Sequence, residues 1–268
     1  MLQPKSILIT GGSSGIGAAL AEHYAASGVT IFISGRNKDR LEEVAQKCRA
    51  KGAVVHPSPV DVNDKIKMSS WIGWADATQP LELVIANAGI SAGTEGGGES
   101  EAQTRQIFMT NVEGVTNTIY PALDAMQKRP LPGKNLLRGQ IAIMSSLAAF
   151  RGFPGAPAYC ASKAAVKSIG EAWRGMLMVQ QIGVTVICPG YVDTPMTKQN
   201  KFFMPLLMNA TRAAKIIADG LSRNRPRIAF PFFTYTMVWL LMVLPPRLFD
   251  RLLSGLPQKG SLPQNSNG

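Results

Sequence analysis

Seven short apolar runs rich in β-branched residues recur along this 268-residue chain, and longer amphipathic stretches separate them. That alternation limits the fold more than any other feature. The runs are Ser6–Thr10, Thr30–Ser34, Ala53–Val60, Leu83–Ala86, Gln140–Met144, Val184–Cys188 and Arg227–Phe230. Helical periodicity fills Gly15–Ser27, Lys38–Ala50, Lys65–Ala77, Ala102–Met126, Ser162–Gln181 and Arg212–Leu221. Several runs are apolar throughout, as strands covered on both faces must be. Strand, helix, strand at this rhythm implies right-handed crossovers and an α/β, doubly wound parallel sheet of about seven strands with helices on both faces. We expect one domain over residues 1–230, followed by an apolar extension and polar tail over 231–268. Residues 91–100 (SAGTEGGGES) and 128–139 (KRPLPGKNLLRG) break the rhythm and read as surface loops.

Composition excludes several functions. The two histidines, His23 and His56, lack ligand-spaced neighbours, so neither a histidine triad nor a metal site is expected. Cys48, Cys160 and Cys188 are odd in number and widely spaced, which suits a reducing compartment. The opening residues lack a signal-peptide pattern. We therefore expect a cytoplasmic protein, or one at the cytoplasmic face of a membrane. A net charge of +11 favours phosphate-bearing molecules or anionic lipid. No helix-turn-helix or basic–aromatic stripe points to nucleic acid.

The first strand runs into Thr10-Gly11-Gly12-Ser13-Ser14-Gly15-Ile16-Gly17 and then a helix. A glycine turn at a helix N-terminus presents free N–H groups and a positive dipole end to a phosphate. With the sheet pattern, this makes the fold Rossmann-type. Sites that prefer NAD usually carry a carboxylate at the end of the second strand, on the ribose 2′-hydroxyl. Here that place reads Ser34-Gly35-Arg36-Asn37. Arg36 offers donors suited to a 2′-phosphate, so NADP(H) is expected over NAD(H).

Further on stand Ser145-Ser146 and, after twelve residues, Tyr159-Cys160-Ala161-Ser162-Lys163. If Tyr159 opens a helix, Lys163 lies one turn on, on the same face. An ammonium there favours the phenolate and should draw the Tyr159 pKa down toward working pH. That would make Tyr159 a general acid/base in a chain short of histidine. Cys160 is taken as structural.

These motifs resemble the short-chain dehydrogenase/reductase family from about residue 5 to about residue 198. The resemblance rests on TGGSSGIG at 10–17, Asp61-Val62, Asn87-Ala88-Gly89, Asn111, Ser146, YCASK at 159–163 and PGYVDT at 189–194. It implies that Tyr159 exchanges a proton with the carbonyl or alcohol oxygen, Ser146 holds that oxygen, and Lys163 binds the nicotinamide ribose. Asn111 would organise a water beside Lys163. Gly11, Gly15, Ile16 and Gly17, with Ser13 and Ser14 in the same turn, would carry the pyrophosphate. Asp61 and Val62 would face the adenine, and Asn87, Ala88 and Gly89 the ribose region. Pro189, Gly190, Val192 and Thr194 would lie on the carboxamide side. Residue 86 is Ala where many members have a second Asn. Family habit implies a homodimer or homotetramer. Ile107, Phe108, Val112, Val115, Ile119, Leu123 and Met126 read as a sparsely charged helix face that supports assembly.

From Ile228 to Pro246 no residue is charged, while Arg223, Arg225, Arg227, Arg247 and Arg251 flank the stretch. Pro231 cuts it, leaving a helix over Phe232–Leu244 of about 20 Å against roughly 30 Å of hydrocarbon. It could cover an apolar pocket, form an oligomer interface or lie in a membrane surface. A weaker resemblance to 3-ketodihydrosphingosine reductases, and the run FFMPLLM at 202–208, point to a lipophilic carbonyl or alcohol substrate. The alternative in another class is a cofactor-binding sensor or scaffold without turnover.

Overall fold

A computed structural model describes residues 3–94, 98–133, 136–200 and 204–253. Strands β1 (Ser6–Thr10), β2 (Thr30–Ser34), β3 (Val54–Ser58), β4 (Leu83–Ala86), β5 (Gly139–Met144), β6 (Ile182–Pro189) and β7 (Arg227–Phe230) form one sheet. Its order is β3-β2-β1-β4-β5-β6-β7, and every pairing is parallel. The direction of winding reverses between β1 and β4, where Ile9 pairs with Ile85. Ligands of open α/β sheets bind at such a switch point, beyond the carboxyl ends of the strands.

Central strands such as β1 and β4 are buried along their whole length because they face two cores. Ile7 and Ile9 of β1 pack with Ile31 and Ile33 against α1 (Gly15–Tyr24), α2 (Lys38–Arg49) and α7 (Ala210–Ser222). Leu8 and Phe32 point the other way, into a core closed by α3 (Lys65–Thr78), α5 (Gly114–Gln127) and α6 (Pro157–Met178).

Three segments differ from expectation. The helix expected over 102–126 is α4 (Glu101–Phe108), a π-helical turn (Met109–Glu113) and then α5. Its apolar face is largely spent inside the chain: Ile107, Val115, Ile119, Leu123 and Met126 are buried, so they do not argue for assembly. Helix α6 starts at Pro157, five positions before the expected Ser162. Finally, Ser91–Thr94 are buried rather than part of a surface loop. The Thr94 N–H donates to the Gly155 carbonyl (3.3 Å), and Gln103 Nε2 donates to that of Gly93 (3.0 Å).

Beyond the sheet come α8 (Phe232–Val243), in the place expected, and α9 (Pro246–Leu253). No helix among the described residues is long and apolar enough to cross a membrane. The polar tail from residue 254 on, and Phe202 and Phe203, lie outside the described residues.

Candidate active site

A cleft of about 400 Å³ opens over the switch point, at the carboxyl ends of β1, β2, β4, β5 and β6. One wall is the glycine turn. Gly11 and Gly15 have φ of +66° and +57°, a conformation that glycine adopts freely. Gly17 is required for space: a Cβ there would stand 2.3 Å from the Gly11 carbonyl oxygen and 2.6 Å from Asn87 Nδ2. Asn87 staples the end of β4 to this turn, donating from Nδ2 to the carbonyls of Thr10 (2.9 Å) and Gly11 (3.2 Å). In return Thr10 Oγ1 accepts from the N–H groups of Asn87 (3.1 Å) and Ala88 (3.2 Å). Ser13, Ser14 and Ile16 line the same wall.

At the far end, Arg36, Asn37 and Arg40 line the cleft beyond β2, with Asp61 and Val62 nearby. Asn63 also lines it; its Oδ1 is buried without a hydrogen-bond partner within the described residues. Over the glycine turn folds the segment after β6. Thr194 Cγ2 would lie 3.0 Å from a Cβ on Gly15, and Thr197 Oγ1 donates to the Val192 carbonyl (2.6 Å). Pro189 and Gly190 close this side.

The opposite end brings Ser146, Tyr159 and Lys163 together. Ser146 and Tyr159 line the same end of the cleft, with the Ser146 hydroxyl placed to favour the Tyr159 phenolate. The neighbouring Ser145 turns away, its hydroxyl donating to the Lys163 carbonyl (2.8 Å). Lys163 is buried, with Nζ 5.9 Å from the Tyr159 ring centroid and donating to the Met144 carbonyl (2.9 Å). Asn111, fully buried in the π-helical turn, accepts from the Ile90 N–H (2.8 Å) and donates to the Ile90 carbonyl (2.9 Å) and Ser162 Oγ (3.0 Å). Such turns recur at functional sites. A Cβ on Gly89 would meet Asn111 Oδ1 at 3.1 Å and Lys163 Nζ at 3.2 Å, so only glycine leaves both groups in place.

Electrostatics here run opposite to expectation. Burial of its hydroxyl pushes the Tyr159 phenol up to about 12, against the lowering effect of the Ser146 hydrogen bond. Burial also pulls the Lys163 ammonium down to about 8. Desolvation penalises both charged forms and is the largest cause of both shifts. At neutral pH Tyr159 therefore holds its proton.

Several participants had no signature of their own. Helix α6 lacks a local side-chain cap, and Glu99 supplies one from the glycine-rich loop: Oε2 accepts from the Ala158 N–H (2.9 Å), one residue before Tyr159. Glu99 is held there by Gln103 Nε2 (3.0 Å). Fifty-nine positions separate cap and helix, so no local pattern reveals it. Arg40 and Asn63 were also missed; Arg40 follows Arg36 by four residues, in the first turn of α2, a proximity that could have drawn notice. All three cysteines are buried and none is in a disulfide, and no metal-binding cluster is present among the described residues.

The comparisons agree with this geometry. A family model described as "short chain dehydrogenase" matches residues 5–202. An uncharacterised oxidoreductase of Myxococcus xanthus is 35% identical over 92% of this chain and 95% of its own. A 3-dehydrosphinganine reductase of Arabidopsis thaliana is 30% identical over 87% of this chain and 72% of its own. A crystal structure of a Burkholderia phymatum short chain dehydrogenase/reductase in complex with NAD shares the fold, with a TM-score of 0.78 at 23% identity over 97% of this chain and 99% of that one. With its parallel seven-stranded sheet and a cleft at the switch point, the chain belongs to the short chain dehydrogenase/reductase family, enzymes that act on CH–OH or C=O groups with NAD(P).

Proposed function

We propose that this enzyme uses NADP(H), with Tyr159 as general acid/base, to interconvert a lipophilic carbonyl compound and its alcohol. The observation that carries this reading is the gathering of Ser146, Tyr159 and Lys163 at one end of a cleft whose other end is lined by two arginines. The cleft suits the cofactor: glycines leave room where a Cβ would strike backbone, and Asn63 Oδ1 is a buried acceptor awaiting a donor. When bound, the cofactor supplies or accepts hydride at the nicotinamide. Gly11, Ser13, Ser14, Gly15, Ile16 and Gly17 hold the pyrophosphate, Asp61 and Val62 the adenine, and Asn87, Ala88 and Gly89 the ribose region. Pro189, Gly190, Val192 and Thr194 bound the carboxamide side.

In the reductive direction the Ser146 hydroxyl holds the substrate oxygen and Tyr159 gives that oxygen its phenolic proton. Lys163 lies one turn from Tyr159, where its charge favours the phenolate left behind. Asn111 holds the Ile90 backbone against α6 through Ser162, which keeps Lys163 beside Gly89. A phenol raised to about 12 is the acid form at working pH, ready for reduction, while oxidation of the alcohol needs the phenolate. We expect kcat/KM for reduction to be nearly level from about pH 6 to about pH 7 and to fall as Lys163 loses its charge around pH 8, and that for oxidation to rise with pH from about 6 to about 7. Initial rates in both directions check this; an oxidation rate that falls as pH rises would contradict it.

Cofactor choice is tested at Arg36 and Arg40. Charge-assisted bonds to a phosphate contribute about 1.5–3 kcal/mol each, so either single alanine substitution should raise KM for NADPH by about 10- to 100-fold and R36A/R40A by about 100-fold or more. KM for NADH should change little, and equal losses for both cofactors would sink the NADP preference. The reading extends to a homodimer or homotetramer. Its support is the uncovered apolar surface on α5 and α6, with Tyr120 against Trp173 (ring centroids 5.4 Å) and Met176 exposed.

A further inference from the structure

Helix α8 carries no charged side chain, and only Thr234 and Val238 are buried on it. Phe232, Phe233, Leu240 and Val243 are 80%, 71%, 54% and 61% exposed, and Met237 and Trp239 are also uncovered. At about 100° per residue these six fall within an arc of about 160°, opposite Val238. Scattered apolar side chains at a surface are ordinary, but a half-cylinder of them on one helix marks a contact.

Cations gather where this helix ends. Arg151 Nη1 donates to the Met242 carbonyl (3.4 Å), and its guanidinium lies 4.2 Å from the Phe249 ring centroid. Arg247 and Arg251 are exposed. Between residues 220 and 253 the chain has five arginines against one carboxylate, Asp250.

The helix is also fastened to the active-site end of the molecule. Val238 and Tyr235 pack with Leu147 and Phe150, in the turn directly after Ser146. Arg227 pairs with Glu171 on α6 and donates to Tyr235 Oη (3.3 Å). Pro231, at the start of α8, would lie 3.1 Å from a Cβ on the cleft residue Gly190.

From these we infer that α8, with the arginines at its end, docks the protein on the surface of an anionic lipid bilayer, with the substrate end of the cleft beside the contact. Twelve residues of helix, about 18 Å, lie in such a surface and do not cross it. A second copy of the chain would bring the same excess of arginine to the contact, with Asp250 as the one carboxylate of the stretch, whereas anionic headgroups supply the opposite charge. The inference rests on the proposed lipophilic substrate only for the route by which substrate enters.

The test is flotation of the full-length protein with vesicles of phosphatidylcholine plus phosphatidylglycerol, and with phosphatidylcholine alone. The protein should float with the anionic vesicles. F233S/L240D should abolish flotation, and Arg247→Gln should weaken it about fivefold. Both variants should keep the melting temperature and the rate of NADPH oxidation with a soluble ketone. No flotation with either vesicle, or equal flotation with both, would overturn the inference. So would a dimer that F233S/L240D dissociates while vesicle binding persists, which would assign the face to a second copy. A protein that floats but oxidises no NADPH with any ketone would leave the contact standing and remove the proposed redox reading.

Discussion

Tyr159→Phe should lower carbonyl-dependent NADPH oxidation by about a thousandfold while leaving NADPH affinity within about twofold of the wild type. The substitution removes one oxygen and keeps the ring that packs beside Lys163, whose Nζ lies 5.9 Å from its centroid. What is lost is the proton that burial keeps on the phenol at neutral pH. Two neighbouring groups are engaged elsewhere: Lys163 points its Nζ at the Met144 carbonyl, and Ser145 is committed to the Lys163 carbonyl. Steady-state rates together with cofactor titration by fluorescence check both halves. A variant that kept more than about a tenth of the rate would show that the proton comes from elsewhere.

The second large effect is expected at Gly17. A methyl group there would meet the Gly11 carbonyl oxygen at 2.3 Å, and backbone at that distance cannot swing aside as a flexible side chain would. Relief requires α1 to retreat from the glycine turn, which also breaks the staple from Asn87 Nδ2 to the Thr10 and Gly11 carbonyls. Gly17→Ala should weaken NADPH binding by about 100-fold or more and lower the melting temperature by several degrees. Gly73→Ala is the natural control. It lies in α3 with nothing within 4 Å of its added Cβ, and alanine there should leave cofactor binding unchanged and stability equal or slightly higher. Calorimetry and cofactor titration of the two variants separate a local clash from a general cost of adding a methyl group.

Much of this architecture is legible in the chain because the relevant signals are local. Continuous apolar strands such as Ile7-Leu8-Ile9 announce two cores, and each residue faces the core its position in the alternation demands. The glycine turn is legible for the same reason: Gly11, Gly15 and Gly17 are set by φ and by space within one short segment. What escaped notice depends on distant partners. The start of α6 is capped by Glu99 from another part of the chain, so a helix with no cap of its own looked shorter than it is. The π-helical turn that buries Asn111 has the same apolar spacing as an ordinary helix, and periodicity cannot separate the two. The direction of the Tyr159 shift was misjudged because sequence shows the neighbouring ammonium but not the depth of burial, which dominates both groups. Exposure of α8 could not be read either, since an uncharged helix is equally suited to a core.

The central claim is hydride transfer from NADPH to a lipophilic carbonyl at the Tyr159 site, and the most direct measurement follows the hydride itself. Wild-type and Tyr159→Phe protein would be incubated with NADPH deuterated on both faces of nicotinamide C4 and with ketones from short polar to long acyl chains. Mass spectrometry would then locate the label. The account predicts deuterium on the carbinol carbon of the product, at a rate that rises with chain length and is lost in the variant. Label found on no product, or incorporated equally fast by Tyr159→Phe, would contradict it.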